Sequence, residues 1–499
     1  MTSNDNRTPW YKDDSQRRNV FFILAVLTLA GIVRLYACLN DFWFDEIWSA
    51  DIFARNFDSV WQWLTTGDAT LKADFQHDNN HYFNTWLIYL IGPDRHWIYF
   101  RLPAVVAGVG TIALSGMIAK RWGTVEATAA LLITSTSFLL IQYSSEARGY
   151  AYVLLFVAAS IELIYRGLER DRWWIDITLG VVAMLGFVSH LTYIYCFFPL
   201  IAWSAWSLVQ QRVSLRGFVL RMCRWYSVPS LFLVWFYANL LHDIEIGGAD
   251  PSDTMLVVLQ TSSLTVGGPE AGTLSILLAF AVVGILAWGL LVAASGKDQF
   301  WVLPLFGIVL MPALVMLVLR PDFLFPRYFL VCVFMAQLLF CGLVGHVFRK
   351  YKLGKPIVVV SLAAYFIGNA VHTTGLLQTG RGQYQAVIAY MDEQTASGVI
   401  TIGSGSKVVD REGLIVRFYG HRNLPLGRHK FFRVRDYPPG GPQWILTHRF
   451  DHGFTPSAKY QDPYGNIYHF EEVFPYSGLS GWHCLLYRND DVLANAPKM

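Results

Sequence analysis

The chain is written in long apolar runs separated by short polar ones. Runs long enough to cross about 30 Å of hydrocarbon, which takes about 20 helical residues each, fall at 20–38, 100–119, 125–142, 148–165, 173–189, 191–209, 223–241, 272–294, 300–319, 326–347 and 356–377. The pattern predicts a polytopic α-helical membrane protein with about eleven transmembrane helices. A polar stretch precedes the first run and no small-residue cleavage site follows it, so it reads as a span and not as a cleaved signal. After residue 379 the pattern changes. Residues 383–395 read as a helix, while 398–403, 444–450 and 482–487 have strand character. This predicts a small α/β soluble domain over 380–499, joined to a helical membrane module over 1–379.

Composition agrees. The chain is 54% hydrophobic and 15% charged, with a mean hydropathy of +0.36, where soluble domains carry about 25% charged residues. A single soluble globular domain and a disordered chain are both excluded. The net charge of +3 carries little information, but its placement does. With the N-terminus cytoplasmic, the inner segments hold 18 of the 26 Lys and Arg before residue 380, and the loop 242–271 holds none. That is the positive-inside distribution, and an odd number of spans then puts 380–499 on the outer, extracytoplasmic face. The six Cys show neither disulfide nor zinc spacing and read as small core residues. The six His of the C-terminal region lack metal-ligand spacing and read as ordinary surface or core residues.

Candidate chemistry concentrates in the loop 39–99, which is far longer than a connector needs to be. It opens Asn40-Asp41-Phe42-Trp43-Phe44-Asp45-Glu46-Ile47-Trp48. A carboxylate pair among aromatics beside a span is suited to general base chemistry. The alternative is that Asp45 caps an amphipathic helix running to about Leu64. The loop continues His77-Asp78-Asn79-Asn80-His81-Tyr82-Phe83-Asn84, polar side chains able to grip a phosphate or sugar hydroxyls, or simply a solvated loop. In Tyr143-Ser144-Ser145-Glu146-Ala147-Arg148-Gly149-Tyr150, Arg148 enters an apolar helix, where an ionisable group is a functional candidate for binding phosphate or forming an internal ion pair. His190 sits between two spans and makes a weaker case. Pro326-Arg327-Tyr328 supplies a second cation at the same leaflet. Arg is matched to phosphate because its planar fork donates two hydrogen bonds at once.

Taken in order, Phe44-Asp45-Glu46, Asp78-Asn79-Asn80-His81, Arg101-Leu102-Pro103, the Tyr143–Tyr150 turn, Ser189-His190 and Pro326-Arg327-Tyr328 resemble the polyprenyl-phosphate-sugar-dependent glycosyltransferases of the GT-C superfold. The likeness is to the glycosyltransferase family 39 group, which is protein O-mannosyltransferase-like, and it covers about residues 20–345. The resemblance implies an inverting enzyme that moves a hexose or pentose from a polyprenyl-phosphate donor to an acceptor hydroxyl on the outer side of the membrane. It implies Asp45 as general base with Glu46 as the second carboxylate of the motif. Arg148 and Arg327 would hold the lipid phosphate, with Asp78, Asn80, His81, His190 and Tyr328 completing the donor site. Many relatives carry a His-Pro run where this chain has Asn80-His81-Tyr82, which bears on His81 more than on Asp45.

No cofactor is expected. A phosphate leaving group needs no general acid, and the sequence shows no metal cluster, although Glu46, Asp78 and Glu146 leave a divalent ion open. The expected partners are the lipid-linked sugar, membrane lipids and an envelope glycan, lipid or protein acceptor, with no nucleic acid. The short loops and the absence of an ER-retention signal at Ala496-Pro497-Lys498-Met499 point to a bacterial plasma membrane. The competing reading is a transporter of lipid-linked saccharide. The long acidic-aromatic loop, the soluble tail and the lack of a visible inverted repeat weigh against it. A non-catalytic scaffold would leave Asp45 and Arg148 without a purpose.

Overall fold

The computed structural model describes residues 14–55, 58, 81–242, 253–296, 298–318, 324–395, 398–405, 411–423, 428–450 and 453–491. Among them, eight helices are long and apolar enough to cross a membrane. They are Arg18–Ala37, Trp97–Lys120, Tyr150–Glu169, Leu191–Gln210, Thr273–Ala294, Gln299–Val318, Pro326–Lys350 and a helix beginning at Gly354. The chain is a multi-pass membrane protein.

In their described residues the eleven apolar runs are helical, but three of them fall outside the eight spans. The run 125–142 is two helices, Thr124–Thr136 and Phe138–Tyr143, because Ser137 is extended (φ −60°, ψ 118°). The run 173–189 gives the 17-residue helix Trp173–Ser189. The run 223–241 starts earlier, as Leu215–Phe236, and ends in a wider π turn, Tyr237–Leu241. One expectation is corrected. The segment 242–271 was predicted to be a loop, and its described part contains the apolar helix Thr254–Thr265. Asp253 starts that helix by accepting from the Met255 and Leu256 amides at 2.8 and 3.3 Å, an N-cap that reads in sequence as one more acidic loop residue. Five of the six Cys are buried, but Cys223 is exposed.

The chain divides into two compact units. The first comprises 1–36, 80–83 and 101–370, and the second comprises 37–79, 84–100 and 371–499. The loop after the first span, which the sequence pattern attaches to the membrane module, groups with the C-terminal residues.

The second unit is built on a six-stranded sheet in the order β2-β1-β3-β6-β5-β4. Strands β1 (Ile400–Ser404), β2 (His429–Phe432) and β3 (Trp444–Arg449) are parallel, whereas β4 (Lys459–Gln461), β5 (Ile467–Phe474) and β6 (His483–Arg488) add antiparallel hairpins. Strand alternation sends Ile445, Leu485 and Tyr487 to one face, where Tyr468 and Tyr460 pack on them. Trp444 belongs to the other face and donates to Thr395 Oγ1 at 2.8 Å. The predicted helix and three strands are present at Tyr384–Gln394, β1, β3 and β6. The sequence pattern missed helix Arg411–Asn423 and strands β2, β4 and β5. Strand β5 was hidden by a bulge between Phe470 and Glu472 that breaks its two-residue period. Two of the C-terminal histidines lie against carboxylates: His429 is 3.1 Å from Asp392 and His448 is 2.6 Å from Glu412.

Candidate functional site

The first unit gathers its polar residues around the break at Ser137. A break inside a span frees backbone groups that lipid cannot satisfy, so neighbouring side chains must do so. The Phe138 amide donates to Asn369 Oδ1 at 2.7 Å, and Tyr365 Oη donates to the Ile133 carbonyl at 3.0 Å. Gln337 Nε2 donates to Ser137 Oγ at 2.9 Å. The carbonyls of Ser135 and Thr134 take Arg34, whose two terminal nitrogens donate to them at 3.3 and 3.5 Å. Arg34 is fully buried, and its Nε donates to Ser144 Oγ at 2.7 Å, so one guanidinium ties the end of the first helix to the end of the second. The sequence reading passed over Arg34 because it stands alone in an apolar run. Its cost in such a run was the signal.

Beyond the break, the turn at 144–149 presents Arg148 to His81. Arg148 Nη2 lies 3.1 Å from His81 Nε2, and the Gly149 amide nitrogen lies 3.1 Å from His81 Nδ1. A guanidinium only donates, so this contact requires a lone pair at Nε2, and the ring also has a backbone hydrogen bond with Ser189. Gly149 makes the approach possible. A Cβ there would collide with the Ser189 carbonyl and stand 2.7 Å from His81 Nδ1.

His190 and Tyr150 close around the same point. The His190 ring lies 4.9 Å from that of His81, 4.6 Å from Tyr150 and 6.5 Å from Tyr328, and the Arg148 guanidinium sits 5.0 Å over Tyr150. His190 Nδ1 accepts from the Thr192 amide at 3.1 Å, which leaves the ring proton on Nε2. That Nε2 and Tyr150 Oη are both buried and have no hydrogen-bond partner among the described residues. Arg327 stacks on Phe325 at 4.1 Å and lies 5.5 Å from the Tyr328 ring. Burial, reinforced by the charges of Arg148 and Arg327, pushes His190 down to about 3 from an ordinary 6.5. Burial, then Arg148, His190 and Arg327, holds His81 well below 6.5. The cluster is therefore two cations, two neutral imidazoles and two phenols, a set rich in donors that suits an anion.

The structure thus brings together five predicted residues, His81, Arg148, His190, Arg327 and Tyr328, and adds Tyr150. Asp45 and Glu46 belong to the second unit. Helix Phe44–Trp48 begins there and widens to π turns over Ser49–Ala54. Asp45 does not cap it. Glu46, at the third helical position, accepts from the Trp43 amide at 2.9 Å and is fully buried, while Asp45 is half-buried and its carbonyl accepts from Ser49 Oγ at 2.9 Å. Asp78 and Asn80 lie outside the described residues.

Residues 81–242, which include His81, Arg148 and His190, match the family described as dolichyl-phosphate-mannose-protein mannosyltransferase. Among solved structures, the chain is similar to ArnT from Cupriavidus metallidurans bound to undecaprenyl phosphate. The identity is 13%, over 95% of this chain and 98% of that one, with a TM-score of 0.50. The same protein in the apo state is 12% identical, over 96% of this chain and 99% of that one, with a TM-score of 0.49. No curated protein matches the chain by sequence. The resemblance read from the sequence is thus present in the family match, and the fold is the GT-C fold.

Proposed function

We propose that this GT-C chain is a membrane glycosyltransferase that takes a sugar from a polyprenyl-phosphate donor and passes it to an acceptor hydroxyl on the outer side of the membrane. The observation that carries the reading is the donor-rich cluster in which Arg148, the His190 Nε2–H and the Tyr150 hydroxyl, the last two without a hydrogen-bond partner among the described residues, converge. A sugar phosphodiester offers anionic oxygens to such a set. ArnT, crystallised with undecaprenyl phosphate, shares the fold.

In the proposed reaction, Asp45 accepts the proton of the acceptor hydroxyl as its oxygen attacks the anomeric carbon. The bond from that carbon to the phosphate oxygen breaks with oxocarbenium character and the centre inverts. The polyprenyl phosphate leaves with the bonding electrons. Arg148 and Arg327 stabilise the charge gathering on it, and the His190 Nε2–H and Tyr150 hydroxyl donate to its oxygens. Both histidines are held neutral, so neither supplies a proton, and a phosphate leaving group needs none. Glu46 serves as the cap that shapes the Asp45 turn. The sugar is a hexose or pentose, and the acceptor is an envelope glycan, lipid or protein.

Equilibrium binding of undecaprenyl phosphate to purified protein tests the donor site. Wild type should bind the lipid, and Arg148→Gln should bind it at least tenfold more weakly. Equal affinity in the two proteins would remove Arg148 from the phosphate site.

A further inference from the structure

Residues 40–44 are held one after another by side chains and backbone of the C-terminal part of the second unit. Asn40 Nδ2 donates at 2.7 Å to the Leu376 carbonyl, in the last turn of helix Gly354–Thr379. Asp41 accepts at one oxygen from the Gln385 amide at 2.8 Å and at the other from Gln385 Nε2 at 2.5 Å, so it caps the start of helix Tyr384–Gln394 from a distant part of the chain. Tyr419 Oη accepts from the Phe42 amide at 2.6 Å and donates to the Phe42 carbonyl at 3.0 Å, satisfying both backbone groups of one residue with a single hydroxyl. The Phe42 ring packs on Phe418 at 5.5 Å. Trp43 lies 4.8 Å from Trp482 with the Arg381 guanidinium 4.2 Å over its ring, and Phe44 lies 5.0 Å from Trp482. Phe42, Trp43 and Tyr419 are all buried.

We infer that the C-terminal domain is the positioning element for Asp45, with Tyr419 and Asp41 as the residues through which it acts. Asp45 is the next residue after this docked pentapeptide, and Glu46 then returns to lock the Trp43 amide. A solvated loop has no use for five consecutive residues each fixed to a partner more than 300 positions away. A general base does, because proton abstraction depends on its placement, and a misplacement of about 1 Å costs on the order of 100-fold in rate. The inference rests on the transferase reading given above. Neither Tyr419 nor Asp41 touches substrate in this account. They act through the backbone of residues 41 and 42.

The test is Tyr419→Phe, which removes one buried hydroxyl, alongside Asp41→Asn, both in the full-length chain. Two readouts are taken: kcat and donor KM for transfer, and hydrogen exchange of the peptide containing residues 40–48. Tyr419→Phe should lower kcat on the order of 10- to 100-fold. Donor KM should stay within about twofold, because the donor residues are a separate set, and exchange in 40–48 should rise. Asp41→Asn should shift both readouts in the same direction by a smaller amount. Unchanged kcat with faster exchange would overturn the inference, since the loop would then be loosened without consequence. Parallel loss of kcat and donor affinity would overturn it too, as the mark of general misfolding. Absence of transfer by the wild type, with exchange still rising in Tyr419→Phe, would overturn the transferase reading itself and show the docking to be structural.

Discussion

Arg148 Nη2 donates to His81 Nε2 across 3.1 Å, although the two residues are 67 positions apart and His81 stands at the start of a helix outside the main spans. The contact orients the guanidinium, a planar five-donor fork suited to an anion, through a neutral ring. Arg148→Gln removes the charge and should raise donor KM about 10- to 150-fold, the range for losing a charge-assisted hydrogen bond worth about 1.5–3 kcal/mol. His81→Ala should raise it less. Steady-state kinetics with a labelled donor checks both, and an effect of His81→Ala larger than that of Arg148→Gln would reverse their order of importance.

Gly149 is the point at which three elements meet without room for a methyl group. Gly149→Ala forces the Ser189 carbonyl or the His81 ring to move, and overpacking of this kind costs about 1–3 kcal/mol. The thermal midpoint in detergent should fall and donor binding should weaken together. A variant as stable as wild type would show that the contact relaxes freely.

Arg34 has a larger structural part. Replacing it with Met removes the donors that the Ser135 and Thr134 carbonyls and the Ser144 hydroxyl share. An orphaned buried polar group costs about 1–3 kcal/mol, so Arg34→Met should be among the most destabilising single changes in the membrane unit. Faster thermal inactivation, with Arg34→Lys intermediate, is the expected outcome. Unchanged inactivation rates would mean that the break at Ser137 is held by Asn369, Gln337 and Tyr365 alone.

The two buried histidines give stability a pH dependence of known sign. His190 is depressed to about 3 in the folded protein, against an ordinary 6.5, and His81 is depressed as well. Between those values the unfolded chain binds protons that the folded one refuses. Stability is therefore complete above about pH 7 and falls as pH drops through that window, by about 1.4 kcal/mol per pKa unit at each site. The thermal midpoint of wild type should fall between pH 7.5 and pH 5.5, and that of His190→Gln should fall less. Equal falls would detach His190 from the effect.

How much of this was written in the sequence depends on the range of each interaction. Arg148 was legible because a charge inside an apolar run is costly wherever the run folds. Arg327 and His190 were legible for the same reason, and their neighbours in the chain carried the family likeness. Arg34 obeyed the same rule but lay in a run read only for its length. The break at Ser137 was invisible, since Thr134-Ser135-Thr136-Ser137 continues an apolar stretch and the groups that make the break affordable, Gln337, Tyr365 and Asn369, come from helices about 200 residues later. Tyr419 could not have been found at all. Its hydroxyl meets Phe42 across 377 positions, and nothing in the local pattern of either segment marks the meeting. The sequence pairs Glu46 with Asp45 as the second carboxylate of the motif, and in the structure Glu46 accepts from the Trp43 amide, a capping relation that the spacing of three residues already contained.

The central claim is that Asp45 removes a proton from an acceptor hydroxyl while the sugar leaves its polyprenyl phosphate. The most direct measurement is transfer of labelled sugar from polyprenyl-phosphate donors to envelope extracts by purified wild type beside Asp45→Asn, with folding of the variant confirmed by its thermal midpoint. The account predicts transfer by the wild type, a loss on the order of 100-fold or more in Asp45→Asn, and donor binding retained in the variant. Transfer undiminished in Asp45→Asn would contradict the base assignment, and donor lipid moving between leaflets without any transfer by the wild type would contradict the enzyme.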